Sequence, residues 1–348
     1  MRLLFFIALC ACLLAPRGHA EDAPALDVAA KDERTAASEA SLAKGLAWLA
    51  SQQDGQGAWS EGNYPVAVTS LACLAFMADG SLPGRGPFGD HVHWGIEYIL
   101  NCGERLKSGY ITEAPATHSR MHGHALATLL LAEAYGMSDV SPSEDEARIG
   151  EALRNAVRVI ERAQTAEGGW WYDSVAGADE ASVTSCCLVA LRAARDARIP
   201  VSQAAIEKGI HYLQKCTTRD GSCVYSVSMG QASTSFALTA GAVASLAMLG
   251  AAEGLPYTRA LDYLMKHEPP RVVQASYYFY GSLFSSLAVF HARGANWSER
   301  YPEIRDRVIT DQTAADGSWE GEVSPEYCTA CACLILALPH RYLSIFQR

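Results

Sequence analysis

The sequence has no stretch in which basic residues dominate. Its 28 Lys and Arg residues are outnumbered by 38 Asp and Glu residues, and the formal net charge at pH 7 is −10. Nucleic-acid-binding domains carry a basic face or stripe, and proteins held at anionic membranes carry a polybasic segment. We therefore expect neither a nucleic-acid partner nor electrostatic attachment to a membrane.

The chain also lacks a long apolar run outside its first twenty residues, and it lacks an obvious linker. One internal stretch without charge, Phe236 to Ala252, is rich in Ala, Gly, Ser and Thr. Such a stretch is typical of a buried core helix, because a membrane span needs about 20 predominantly apolar residues. We expect no transmembrane segment in the mature chain, and a single domain over residues 41–348.

The first twenty residues have the pattern of a secretory signal peptide. Arg2 supplies a positive start, Leu3 to Leu14 form an apolar run, and Gly18-His19-Ala20 end it with small residues. We expect residues 1–20 to be removed and the protein to be exported to the periplasm or cell envelope. Residues 21–40, rich in Ala, Asp and Glu, are predicted to be a flexible lead-in.

Cysteine usage does not indicate a disulfide framework. Cys216 and Cys223 flank a turn and could pair in an oxidising compartment. The remaining cysteines after residue 20 lie in apolar helical contexts, where a free cysteine behaves as a small buried hydrophobe.

The clearest signal is an internal repeat of about fifty residues. In residues 46–59 an apolar residue stands four positions before Gln53, and Trp59 follows six positions after it. Residues 157–170 repeat this order around Gln164 and Trp170. The same outline returns at 210–222 and 306–319, and degenerate copies lie at 96–110 and 260–270. Six copies predict six structural units.

Each repeat contains two helices of different character. In residues 149–163 the apolar positions form one stripe and the charged residues face away, as expected of a surface helix. The second helix, for example 236–246 or 327–337, is apolar nearly all round and must be buried on every side. One-sided helices outside and apolar helices inside predict an all-α fold, an α6/α6 toroid of two concentric rings.

The Gln…Gly-x-Trp spacing resembles the repeat of the squalene–hopene cyclase and protein prenyltransferase β-subunit superfamily. Residues 121–137, 182–201, 236–246 and 327–348 are similar to its exported bacterial branch, the "prenyltransferase and squalene oxidase repeat" proteins. The resemblance implies a central cavity with its mouth at the N-termini of the inner helices. It leaves the reaction open, because one fold hosts unrelated activities.

The resemblance suggests one pair of catalytic carboxylates. Squalene–hopene cyclases protonate an alkene with an Asp-x-Asp-Asp cluster, and Asp179-Glu180 is the nearest equivalent here, although the full cluster is absent. Two adjacent carboxylates raise the pKa of one of them, so we predict Glu180 as general acid with Asp179 beside it. Capping of the helix that starts near Ser182 explains the same residues.

The zinc site of the prenyltransferases does not carry over. Cys328 stands where that family has its histidine ligand, and Gln274 and Ser276 stand where it has Asp-x-Cys. His118 and His122 lie on one helical face but lack a third ligand. We therefore expect no metal and no cofactor.

Polar and aromatic residues near the starts of the inner helices are the predicted ligand-binding residues. In a toroid they meet at the mouth of the cavity, where aromatic rings with polar tips suit an apolar ligand. The predicted set is His122, His124, Trp171, Tyr277, Tyr278, Tyr280 and Tyr327.

Three functional hypotheses follow from the sequence. The first is a toroid that binds a hydrophobic, isoprenoid-like molecule in its cavity. The second is a terpenoid cyclase or isomerase that uses Glu180 as its acid. The third is a non-catalytic scaffold or protein-interaction module of the cell envelope. They differ in whether the centre of the toroid is open and what lines it.

Overall fold

The computed structural model describes residues 33–59, 64–113, 118–137, 144–270 and 277–347. The predicted signal peptide and most of the predicted lead-in lie outside these residues; the first helix begins at Ala36, before the expected boundary at residue 40. The described residues contain twelve α-helices: α1 (Ala36–Gln52), α2 (Pro65–Ala78), α3 (Gly89–Arg105), α4 (Arg120–Gly136), α5 (Glu144–Ala163), α6 (Ala181–Asp196), α7 (Gln203–Cys216), α8 (Phe236–Met248), α9 (Gly254–Lys266), α10 (Tyr278–Ala292), α11 (Gly294–Thr310) and α12 (Pro325–Ala337).

The helices form two concentric rings, which confirms the predicted α/α toroid. Each even-numbered helix packs against the next even-numbered helix, and α12 packs against α2, so that the inner ring is closed. Every residue of α2 from Val66 to Ala78 is buried, as its all-round apolar sequence requires. None of the described helices combines the length and the apolar character needed to cross a membrane.

In three repeats a glutamine joins the repeat to the next one. The side-chain amide of Gln164 donates to the carbonyl of Gly168 in its own turn (2.9 Å) and to the carbonyl of Ala205 in outer helix α7 (2.8 Å). Gln53 makes the same two bonds, to Gly57 and His91. Gln312 makes them to Gly317 and Ser41.

The repeated tryptophan joins the two helices of one repeat. The indole N–H of Trp170 donates to the carbonyl of Ile160 in outer helix α5 (2.7 Å), and its backbone N–H donates to the hydroxyl of Thr184 in inner helix α6 (3.0 Å). Trp59 repeats the pattern with Leu49 and Thr69. Trp319 repeats it with Val308 and Thr329.

The glycine of the turn is required by the close approach of the next outer helix. Gly168 has φ of +99°, and a Cβ there would lie 2.3 Å from the carbonyl oxygen of Lys208 in α7. Only glycine accepts both the left-handed backbone and this contact at low cost. Gly57, Gly221 and Gly317 also have positive φ and would bring a Cβ within 2.8 Å of the neighbouring outer helix.

The glutamine contact at Gln312 closes the ring between the last repeat and the first. Gln312, after α11, donates to the backbone carbonyl of Ser41 in α1, and its side-chain oxygen accepts from the Ser41 hydroxyl at 2.7 Å. Residues 271 positions apart in the sequence are thereby joined. The toroid is therefore closed by the same interaction that links its successive repeats.

A β-hairpin interrupts the all-helical pattern between α7 and α8. Its strands, β1 (Cys223–Ser226) and β2 (Gln231–Ser235), pair antiparallel. The sequence analysis did not predict it. Cys216 and Cys223, the pair considered for a disulfide, are both buried as free thiols. Ser235 at the end of β2 caps α8, which places the hairpin at the start of an inner helix.

We expect Gln312→Ala to lower the free energy of unfolding by about 2–3 kcal/mol, because it removes three hydrogen bonds at a part-buried site. Denaturant unfolding measures the change. Gln52→Ala, an exposed glutamine on α1, is the control and should change stability by less than about 0.5 kcal/mol. Equal effects of the two substitutions would show that ring closure does not depend on Gln312.

Candidate functional site

The inner ring encloses a central cavity of about 720 Å³. Its walls below the mouth are apolar, since the inner helices present branched and aromatic side chains to it. A volume of this size is typical of pockets that hold small organic ligands. The apolar wall consists of Leu71, Leu74, Leu126, Leu129, Val189, Leu283, Phe284, Leu287 and Leu334.

The far end of the cavity is closed by the C-terminal segment. A short 3-10 helix, Ser344–Phe346, places Ile345 and Phe346 in the lining, and both are buried. The carboxylate of Glu133, in the last turn of α4, accepts from the backbone N–H and hydroxyl of Ser344 (both 2.7 Å) and from the N–H of Ile345 (3.1 Å). The cavity is therefore a blind pit.

The open end lies where the inner helices begin, and here the lining is polar. Tyr277 at this rim is 55 % exposed, whereas the wall residues below it are buried, except Leu126, which is part-buried. The hairpin contributes Tyr225 and Ser233 to the same rim. This segregation gives the pit one polar mouth and a long apolar interior.

Glu180 lies at the mouth with its side chain in the lining, and it also caps α6. Its carboxylate accepts from the backbone N–H of Val183 (2.8 Å) and from the hydroxyl of Ser182 (2.7 Å). Burial raises the pKa of this carboxyl; the two hydrogen bonds act against that rise, and the charge of Asp179 adds to it. Glu180 therefore both caps α6 and lines the cavity.

His122 continues a chain of hydrogen bonds from Glu180. Its Nε2 lies 2.9 Å from the Ser182 hydroxyl, and its Nδ1 contacts the Ser119 hydroxyl. Since Ser182 donates to Glu180, Nε2–H donates to Ser182 and Ser119 donates to Nδ1. Burial lowers the pKa of His122 to about 4, so that this neutral form is the one present near pH 7.

Asp179 is placed away from the cavity, and we withdraw it as a catalytic candidate. Its carboxylate accepts from the hydroxyls of Tyr212 (2.7 Å) and Ser226 (2.9 Å) and from the N–H of Ser228 (3.2 Å), which anchors the hairpin. Burial alone would raise the pKa of Asp179, but the hydrogen bonds from Ser228, Tyr212 and Ser226 outweigh it and the pKa is lowered. A carboxylate held ionised in this way cannot serve as an acid.

Three further predicted ligand-binding residues also lie outside the lining. His124 is fully buried, accepts from the N–H of Ile111 at 3.0 Å and lies 3.1 Å from the Ala156 carbonyl, so it joins α4 to α5. Tyr278 points to the outer ring and donates to Asp311. Trp171 stacks on Tyr172, which does line the cavity. Helical rotation explains the placements of His124 and Tyr278, because neighbouring residues at a helix start face different directions.

The other predicted residues meet at the cavity. His122, Tyr277, Tyr280, Tyr327 and Glu180 all line it. Tyr280 stacks on Phe284 with ring centroids 4.4 Å apart, which extends an aromatic surface from the mouth into the pit.

Glu322 is a lining residue that the sequence analysis missed. It lies in the turn before α12 but does not cap that helix. Its Oε1 accepts a hydrogen bond from the N–H of Phe279 at the start of α10 (2.7 Å). The available signal was the run of acidic residues after Trp319, but the contact to Phe279 spans 43 positions.

Three of the six non-glycine residues with positive φ in the described chain lie at the mouth, and the other three, Arg198, Arg293 and Arg341, lie outside the cavity lining. Ser119, Tyr277 and Val323 have φ of +63°, +47° and +67°, and each precedes an inner helix and lines the cavity. Non-glycine residues adopt this region at a cost of about 1–3 kcal/mol, and such residues cluster at functional sites.

The described residues do not fit the zinc site of the prenyltransferases. Nowhere among them do three His, Cys, Asp or Glu side chains come together in a way that could hold a metal ion. Cys328, which replaces the expected histidine, is buried and donates to the backbone carbonyl of Glu322.

Neither a protein-family model nor a curated protein matches the sequence. Other solved structures share the toroid, among them a mannanase and a terpene cyclase. The α-1,6-mannanase GH76A of Salegentibacter sp. has a TM-score of 0.59 at 9 % identity, covering 86 % of this chain and 98 % of its own. The type II terpene cyclase MstE of Scytonema has a TM-score of 0.53 at 17 % identity, covering 88 % and 99 %. At such low identities the likeness shows the fold alone.

The raised pKa of Glu180 makes stability depend on pH in a defined direction. The protonated carboxyl is favoured in the folded state, so its contribution is fully present below the ordinary value of 4.5 and is lost as pH rises through the raised pKa. Glu180→Gln cannot ionise and should avoid this loss. We expect the melting temperature of the variant minus that of the wild type to increase from about pH 4 to about pH 7.

Thermal denaturation across this pH range provides the measurement. Glu320→Gln, on an exposed glutamate outside the cavity, is the control and should show a constant difference. A constant difference for Glu180→Gln as well would contradict a raised pKa.

Proposed function

We propose that this protein binds a hydrophobic, isoprenoid-like molecule in the central cavity. The observation that carries the proposal is the blind pit itself, with an apolar wall of leucines and aromatic rings and polar groups confined to the mouth. A molecule with a long apolar body would bury it against this wall, which stabilises binding by about 25 cal/mol for each Å² of apolar surface.

The shared fold adds a second line of support. The type II terpene cyclase MstE has been solved in complex with merosterolic acid A, its product. That complex concerns the Scytonema enzyme, but it is consistent with a toroid of this type holding a terpenoid. The isoprenoid class is favoured over a simple fatty chain because aromatic rings at the mouth suit branched, unsaturated molecules.

The mannanase neighbour raises a sugar as the alternative ligand. GH76A has been solved in complex with α-1,6-mannotriose. A sugar requires hydrogen-bonding groups along its whole length, since a polar group buried without a partner costs free energy. Below the mouth of this cavity the wall is dominated by Leu, Val, Phe, Ala and Cys side chains. This wall favours the apolar ligand.

A cyclase or isomerase is the second candidate function, and Glu180 is the specific observation in its favour. A buried carboxyl with a raised pKa retains a proton for transfer to an alkene, a very weak base. After transfer, the carboxylate would keep the hydrogen bonds from Val183 and Ser182 at the positive end of α6. The final cation would then lose one proton to form a new alkene, and this loss balances the proton that Glu180 added.

Aromatic rings could stabilise such a cation. Tyr280 and Tyr327 line the cavity near Glu180, and the faces of their rings carry negative potential. We also propose that the protein acts after export, as its N-terminal sequence suggests. The scaffold hypothesis would leave the open pit without a role.

Native extraction tests the binding proposal. The mature protein purified from its own envelope should carry a stoichiometric apolar molecule detectable by mass spectrometry. Added back to delipidated protein, that molecule should raise stability by about 2.7 kcal/mol at a hundred times its Kd. An empty protein that takes up no isoprenoid would favour the scaffold.

A matched pair of variants locates the binding site. Val189→Phe fills part of the apolar wall and should abolish ligand stabilisation, whereas Ala295→Phe, at an exposed position of α11, should preserve it. Equal ligand responses would place binding outside the cavity.

Turnover separates a binder from a cyclase. A cyclase should convert a polyene such as squalene, and Glu180→Gln should lower the rate at least about 100-fold while leaving binding within a few-fold. Conversion that survives Glu180→Gln would remove Glu180 as the acid.

A further inference from the structure

The cavity lining contains two acidic residues, and its basic side chains among the described residues are histidines. Glu180 and Glu322 both line the mouth, and within the described part of the chain no Lys or Arg does so. Among the described lining residues, the side chains that could carry a positive charge are His118 and His122. Burial lowers the pKa of His122 to about 4. His122 is therefore neutral near pH 7, and it does not offset the carboxylates.

The two carboxylate oxygens of Glu322 differ, because one accepts a hydrogen bond and the other has no partner among the described residues. Oε1 accepts from the backbone N–H of Phe279 at 2.7 Å, which fixes the orientation of the carboxylate. Oε2 is buried and has no hydrogen-bond partner among the described residues. A buried acceptor left without a donor costs about 1–3 kcal/mol. Such an atom in a cavity lining calls for a donor on the ligand.

Its position determines which part of a ligand it would meet. Glu322 lies in the turn before α12, next to Val323, which is 42 % exposed at the rim. The apolar wall lies below it, and Ile345 and Phe346 close the far end. A ligand whose apolar body fills the pit therefore leaves its polar end beside Glu322.

We propose that Glu322 accepts a hydrogen bond from the polar end of the ligand, and that this end is a hydroxyl or an amine. The inference rests on the proposed binding function and narrows its ligand class to isoprenoid alcohols and amines. Carboxylates and phosphates are excluded, because they would bring a second negative charge beside the carboxylate of Glu322, with no Lys or Arg in the described lining to balance it.

Four probes with one chain separate these head groups: farnesol, farnesyl methyl ether, farnesylamine and farnesoic acid. The ether keeps the oxygen of farnesol but has no O–H to donate. We expect wild-type protein to bind farnesol about tenfold more tightly than the ether. Farnesylamine should bind at least as tightly as farnesol, and farnesoic acid should bind at least about tenfold more weakly.

Two substitutions of Glu322 test its role. In Glu322→Leu the alcohol and ether should bind equally, and the amine should lose its advantage. In Glu322→Gln the single amide oxygen accepts from Phe279, which turns the NH₂ group toward the cavity, so the acid should gain about tenfold over wild type. Glu320→Gln, on an exposed glutamate two positions away, should leave all four affinities unchanged.

The outcomes distinguish this inference from the binding proposal. Failure of every probe to bind wild-type protein would overturn the binding proposal. Tight binding of all four probes, with no effect of either Glu322 substitution, would overturn the role of Glu322 and leave binding intact. Preferential binding of farnesoic acid by wild-type protein would also overturn it. Melting temperatures confirm folding, and if Glu322→Leu does not fold, Glu322→Gln decides alone.

Discussion

The closed inner ring is the constraint on which the rest of this structure depends. An inner helix such as α2 is buried on all sides, so it needs a neighbour on each flank. Packing of α12 against α2 gives the last helix that neighbour. The bonds from Gln312 to Ser41 hold the outer ring at the same seam. Without closure, the terminal repeats would expose apolar helices to water.

Closure also produces the site. Each inner helix is separated from the next by one outer helix, so all inner helices run the same way and their N-termini meet at one mouth. Free backbone N–H groups and the positive helix ends favour acidic residues there. Glu180 bonds to the N–H of Val183, and Glu322 bonds to that of Phe279. The architecture thus concentrates carboxylates at the entrance to an apolar pit.

Opposing forces act on these carboxylates. Burial disfavours the charge, while the hydrogen bonds of the helix starts favour it. For Glu180 burial prevails and the pKa rises; for Asp179 three hydrogen bonds prevail and the pKa falls. Two adjacent residues therefore differ in role: Asp179 holds the hairpin, and Glu180 faces the cavity. Their difference arises from partners supplied by the hairpin, since Ser226 and Ser228 are both there.

The sequence by itself determined the toroid, because its signals are local and repeated: the apolar periodicity of each helix, and the Gln, Gly and Trp that recur in the turns of three repeats. It also identified Glu180, His122, Tyr277, Tyr280 and Tyr327, which the helix starts bring to the cavity. Only tertiary structure decided which neighbours face elsewhere, as His124 and Tyr278 do, because helix rotation is set by packing. The hairpin, Glu322 and the C-terminal closure depend on contacts between distant segments, such as Glu133 with Ser344 across 211 positions, and no local pattern encodes them.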